Sequence, residues 1–221
     1  MAVEATSYRH AEHEAVEVVA GGSLAETIGG AGAVVLAILA LAGILPGPLA
    51  AVATIGVGAA LLFEGASIAA EFQALRLDVV SNRTEASELG GGMTAETLAG
   101  LAGVALGILA LLGLAPTTLM AVALIVFGGG LLLGSVATAR LNDLKIRGEV
   151  SDTARTVARA SVETASGAQI LVGAGGVVLG ILALVGLAPA TLIAVGMLSL
   201  GASVLFSGSA VGGKMLAILQ H

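Results

Sequence analysis

The sequence predicts an all-α integral membrane fold: three tandem helical hairpins, six apolar helices in all, joined by polar amphipathic linkers. Three observations lead there. Of 221 residues, 57% are hydrophobic and 11% charged, with mean hydropathy +1.05, whereas a soluble domain carries roughly a quarter charged residues. Charge-free runs at 27–63, 97–139 and 164–213 are each about twice the roughly 20 residues that one membrane-crossing helix takes. The runs also repeat one another in residue order. The 33 Gly follow no three-residue period and Pro number 4, which excludes collagen. The high hydrophobicity excludes intrinsic disorder.

The repeat is read from Ala25-Glu26-Thr27 leading to Leu45-Pro46, Ala95-Glu96-Thr97 leading to Ala115-Pro116, and Ala168-Gln169-Ile170 leading to Ala188-Pro189. Ile38-Leu39-Ala40-Leu41 returns as Ile108-Leu109-Ala110-Leu111 and Ile181-Leu182-Ala183-Leu184, and the triads Leu49/Leu119/Leu192, Val52/Val122/Val195 and Gly58/Gly128/Gly201 keep register. The chain therefore divides into a polar arm (1–24), hairpin 1 (25–70), a linker (71–94), hairpin 2 (95–139), a linker (140–167), hairpin 3 (168–213) and a tail (214–221).

The arm carries Glu4, Arg9, Glu12, Glu14 and Glu17, unlike the short basic start and apolar core of a cleaved signal peptide, so none is expected. On a helix His10, His13, Glu14 and Glu17 would share one face, the spacing at which a divalent metal or a pH response near neutrality can arise. The stretch lacks the His-Glu-x-x-His order of a zinc helix, a solvated arm is the commoner use of such residues, and no metal is expected.

Each apolar run turns at proline: Pro46 and Pro48, Pro116, and Pro189. Proline lacks a backbone donor and pushes the preceding residue out of the helical region. The flanking segments are long, without alternation and rich in Ala and Leu, which selects helix over strand. About 17 residues separate charge from turn in the first unit, about 25 Å of helix against a hydrocarbon core of about 30 Å. Either the bilayer thins, the helices continue past the charged boundary, or the hairpins dip in from one side. Ala33 and Ala37, Gly103 and Gly107, and Gly176 and Gly180 take matching places four residues apart, a small-residue seam along which a second backbone can approach.

Glu64 is the carboxylate set against an apolar run. An ionisable side chain inside a membrane is a functional candidate, but Glu64 lies 18 residues beyond Pro46, which predicts an interfacial anchor in reach of water rather than a proton path. Its repeat equivalents are Gly134 and Ser207, so no ring of carboxylates is expected within one chain. The linkers mix both charge signs with spaced apolar residues and read as amphipathic extensions or surface helices, broken at Gly90-Gly91-Gly92 and Gly148.

All nine Lys and Arg lie outside the hairpins. If each hairpin crosses twice, the polar segments share one side, and the positive-inside rule places the N- and C-termini in the cytoplasm of a bacterial inner-membrane type arrangement. The turns carry no charge, and Trp is absent, so the usual aromatic belt is missing and protein–protein packing is favoured.

A net charge of −6 argues against nucleic acid. No nucleophile elbow, phosphate-binding loop or histidine in the apolar half is present, so no enzyme is expected. Polar residues of the hairpins such as Thr54, Ser67, Ser135, Thr138, Ser199, Ser203 and Ser207 are too few for an ion-conducting pore.

Gly180-Ile181-Leu182-Ala183-Leu184, Pro189, Leu200-Gly201, Leu205 and Gly208 together resemble the hairpin unit of the HdeD-like small bacterial membrane proteins. That resemblance implies three tandem hairpins and a stress-related membrane role, and no functional residue transfers with it. The linkers here, about 25 residues each, are longer than the loops of that family.

The sequence thus predicts a non-enzymatic, homo-oligomeric membrane scaffold or anchor, surrounded by lipid, whose charged linkers hold a soluble partner. The alternatives are an accessory subunit of a respiratory enzyme, with smooth hairpins enclosing a lipid or quinone, a transporter or channel, and a wedge in one leaflet.

Overall fold

A computed structural model describes the backbone of residues 24–76, 83–146 and 152–219, and the side chains of 24–66, 95–135 and 167–209. The polar arm, with His10, His13, Glu14 and Glu17, lies outside the described residues. Among the described residues the fold is all-α. Its helices are α1 (Leu24–Leu41), α2 (Pro46–Arg76), α3 (Arg83–Leu111), α4 (Pro116–Ile146), α5 (Asp152–Leu184) and α6 (Pro189–Leu219). Among the described residues, five apolar helical segments are long enough to cross a membrane, and the described part of α3, Ala95–Leu111, is apolar as well. The chain is a membrane protein of three helical hairpins.

The three turns are built alike. Gly43, Gly113 and Gly186 take φ of 81°, 87° and 91°, a left-handed conformation that a missing Cβ makes accessible. Two backbone bonds close the first turn, from Gly43 N–H to the Ala40 carbonyl and from Ile44 N–H to the Leu39 carbonyl, both 3.0 Å; Gly113 with Leu114 and Gly186 with Leu187 repeat them. This is the Schellman closure, which satisfies carbonyls that a helix end leaves open. Pro46, Pro116 and Pro189 then take the first position of each return helix, where the missing N–H costs nothing. Pro48 lies within the first turn of α2.

Three parallel return helices form the centre. Along α2 the buried residues Ala50, Thr54, Val57, Leu61 and Glu64 step by four and three, and so do Met120, Leu124, Phe127, Leu131 and Gly134 on α4. On α6 the stripe is Ile193, Met197, Leu200 and Val204, ending at half-buried Ser207. A 4-3-4-3 stripe is the pattern that lets helices interdigitate along a common seam. Thr54 Oγ1 lies 3.7 Å from Met197 Sδ, and Ser207 bonds to Glu64, so residues at the same level meet across the axis. Phe127, Leu131, Leu61, Leu124 and Leu200 are fully buried and fill it.

The leading helices α1, α3 and α5 form an outer ring, with α3 and α5 each lying on the return helix of the unit before. A Cβ at Gly58 would stand 2.8 Å from Val104 N and 2.9 Å from Gly100 O, joining α2 to α3. A Cβ at Gly128 would meet Gly173 O and stand 2.8 Å from Val177 N, joining α4 to α5. The ring is closed by α1 on α6, where a Cβ at Gly30 would lie 2.6 Å from Leu205 N and 2.8 Å from Gly201 O. Backbones this close require small residues at the crossing and gain dispersion contacts along their length. The seam predicted at Ala33, Ala37, Gly103, Gly107, Gly176 and Gly180 lies buried in these contacts: Ala33 against Gly201, Gly103 against Gly58, Gly176 against Gly128, and Gly107 and Gly180 against the backbones of Ala51 and Ala121.

The helices continue past the charged boundary, one of the alternatives expected: α2–α6 span 29 to 33 residues, roughly 45–50 Å at 1.5 Å per residue. But α3 runs unbroken through Gly90-Gly91-Gly92, so the expected break there is absent, because a helix anchored at its packed end carries such glycines at a cost of only about 1 kcal/mol each. Gly148 lies outside the described residues.

Candidate functional site

Both stripes end in one polar layer. The small-residue stripe of each leading helix begins at Glu26, Glu96 or Gln169, and the axial stripes of the return helices end at Glu64, Gly134 and Ser207. Antiparallel pairing within a hairpin brings the start of one helix beside the far part of the other, so six positions from six helices meet at one level. Glu26, Glu64 and Glu96 are 3%, 6% and 0% exposed.

The hydrogen bonding is lopsided. Glu64 Oε1 accepts from Gln169 Nε2 and from Ser207 Oγ, each at 3.1 Å. Glu26 Oε1 and both carboxyl oxygens of Glu96 are buried without a hydrogen-bond partner. The Glu96 carboxyl occupies the space above Gly134, where any Cβ would collide with it. The three carboxyl groups act on one another electrostatically. Every Lys, Arg and His of the sequence lies outside the described side chains, and among the described residues no group of three carboxylates closes on one metal position.

The expectation that Glu64 reaches water is not met. Its distance from Pro46 along the helix is as expected, but it faces the axis rather than water, because it continues the 4-3-4-3 stripe and α2 runs on to Arg76 above it. The expectation that one chain builds no carboxylate ring also fails: the position of Glu64 supplies one carboxylate, and the leading helices bring Glu26 and Glu96. The sequence carries that signal in its Ala-Glu-Thr marker, but the charge-free runs begin one residue past each of these glutamates.

Three hydroxyls of the apolar half turn back on their own helices. Thr54 donates to the Ala50 carbonyl at 2.8 Å, Ser135 to Leu132 at 2.8 Å and Ser199 to Val195 at 3.0 Å. Hydroxyls satisfied in this way offer little to a passing ion. Below the polar layer Leu61, Leu131 and Val204 close the axis. Outside, Leu98, Leu171, Phe63, Leu133 and Phe206 are exposed around the bundle, an apolar surface suited to lipid.

No protein-family model, curated protein or solved structure matches this chain.

Proposed function

We propose that the protein is a non-enzymatic membrane anchor that holds a helical platform at one face of the bilayer for a soluble partner. The observation behind this reading is the asymmetry of the bundle. At one end the hairpins close in four-residue turns with exposed Leu45, Leu112 and Val185. At the other, α2, α4 and α6 run past the ends of the charge-free runs, to Arg76, Ile146 and Leu219, while α3 and α5 begin before theirs, at Arg83 and Asp152. These extensions are roughly 10–20 Å of helix and carry Glu71, Arg76, Arg83, Arg140, Lys145, Arg155, Arg159 and Lys214. By the positive-inside rule that end is cytoplasmic. The stress-related role implied by the HdeD-like resemblance is compatible with such an anchor, whose polar end would carry the response.

The axis of a single chain is filled by Phe127 and its neighbours, which disfavours conduction and leaves a quinone or lipid to sit between copies. Self-association fits the exposed apolar belt and the absent aromatic girdle.

Sidedness is tested first. The chain has no cysteine, so Thr118→Cys at the start of α4 and Ser151→Cys in the stretch between α4 and α5 are labelled in sealed vesicles with an impermeant maleimide. Opposite accessibility is expected; labelling of both from one side overturns the anchor as described. Native mass spectrometry of the protein in mild detergent is then expected to give a defined oligomer with a stoichiometric soluble protein, and a lone chain with phospholipid only sinks the partner reading.

A further inference from the structure

The polar layer holds three carboxyl groups in an otherwise apolar bundle, and nothing in the anchor role requires them. We propose that Glu26, Glu64 and Glu96 form a proton-binding site on the axis of the bundle, filled from the end that carries the helical extensions.

The argument begins with missing donors. Three carboxylates are acceptors only, with room for many hydrogen bonds. The described groups facing them from each helix are Glu26 on α1, Glu64 on α2, Glu96 on α3, Gly134 with Ser135 on α4, Gln169 on α5 and Ser207 on α6. Of these, Ser135 donates to Leu132, and the Gln169 and Ser207 donors both go to one oxygen of Glu64. Glu26 Oε1 and the two Glu96 oxygens are left without a donor in this layer. A proton on a carboxyl group supplies the absent O–H, turning an acceptor into a donor toward its neighbour, and removes a charge at the same time. A buried carboxylate without partner or counter-ion is among the costliest arrangements a protein can hold.

A metal ion would also neutralise the layer, but among the described residues the carboxylates do not converge on one metal position. The route is set by packing. Towards the turns, Leu61, Leu131 and Val204 are buried and seal the axis. The other direction is that of the extensions, where α2 continues about 18 Å from Glu64 to Arg76. Protons therefore enter and leave on one side, each step being transfer between a water molecule and a carboxyl oxygen, and the site is a terminus rather than a conduit.

The test uses the full chain in lipid nanodiscs and infrared spectroscopy in light and heavy water. At neutral pH the wild type is expected to show the carbonyl stretch of neutral carboxylic acid, shifted by deuterium and unmoved by sodium, calcium or chelator. Glu96→Gln and Glu26→Gln are each expected to change that band, whereas Glu88→Gln leaves it alone. Carboxylate bands alone at neutral pH overturn the proposal, and so does a co-purifying metal whose removal shifts the carboxylate bands. The wild-type spectrum decides even if a variant fails to fold. In liposomes the wild type is expected to pass no proton current; a leak abolished by Glu64→Gln overturns the one-sided site.

Discussion

Closure of the ring by α1 on α6 is the feature that most sharply separates this bundle from a row of hairpins. Gly30 and Gly32 lie on the same helix in different surroundings. A Cβ at Gly30 would stand 2.6 Å from Leu205 N, while one at Gly32 meets nothing within 4 Å. Ordinary contacts lie near 3.5–4.0 Å, so Gly30→Ala forces the two backbones apart by about 1 Å. Overpacking of this kind costs roughly 1–3 kcal/mol, whereas alanine for glycine in an open helical position gains about 0.5–1 kcal/mol. The two variants should therefore differ by about 1.5–4 kcal/mol, at least tenfold in the folding equilibrium. Far-UV circular dichroism during detergent-induced unfolding reads the difference. A second assay uses Ala33→Cys with Gly201→Cys, whose Cβ positions are 3.0 Å apart, within about half an ångström of disulfide range. A cross-link in native membranes is expected. If Gly30→Ala proves as harmless as Gly32→Ala while Gly58→Ala and Gly128→Ala destabilise, and the cysteines stay unlinked, α1 and α6 do not meet and the hairpins form an open row.

Three further outcomes follow from the packing and the turns. Phe127→Ala is expected to cost about 3–5 kcal/mol; because the Phe127 ring fills the notch at Gly103, Gly103→Ala with Phe127→Val should cost less than the two changes summed, mirroring the Ala33 and Val57 of the first unit, as a double-mutant unfolding cycle would show. Ala115 and Ala188 precede proline with φ of 36°, so Ala115→Gly or Ala188→Gly should stabilise by about 1 kcal/mol, and Gly113→Ala should cost a similar amount in the same titration. Gly134→Ala should destabilise by displacing the Glu96 carboxyl, and adding Glu96→Ala should recover part of the loss; an equal loss with or without Glu96 would show that the glycine serves only its own helix.

The hairpins are legible in the sequence because their signals are local: proline at each turn, glycine three residues before it, and apolar runs of double length. Ring closure is not, since it joins Gly30 to Gly201 and Leu205 across nearly the whole chain, and small residues say that a neighbour comes close without saying which one. The axial stripe lies in the sequence as a 4-3-4-3 spacing from Ala50 to Glu64, but uniformly apolar helices hide such a pattern because almost every face looks alike. The polar layer is hidden by its position at the very edges of the hydrophobic runs. Glu26 and Glu96 stand out as markers of the repeat, and only antiparallel pairing brings them to the level of Glu64.

The three units differ most where chemistry is possible. Their turns share the same hydrogen bonds, and their axial layers exchange one apolar residue for another: Val57, Phe127 and Leu200, or Leu61, Leu131 and Val204. At the polar layer the same positions hold Glu64, Gly134 and Ser207, with Glu26, Glu96 and Gln169 beside them. Gly134 makes room for Glu96, and Ser207 and Gln169 both turn to Glu64. The residues that break the likeness of the units are thus fitted to one another. Stability alone does not account for them, since apolar side chains of similar volume are often as good as buried ionisable groups or better. A layer that gives up that simpler solution on all three units, and arranges glycine, serine and glutamine around the carboxyl groups it keeps, is built to hold positive charge drawn from the aqueous side, at the same end of the bundle where the helical extensions stand.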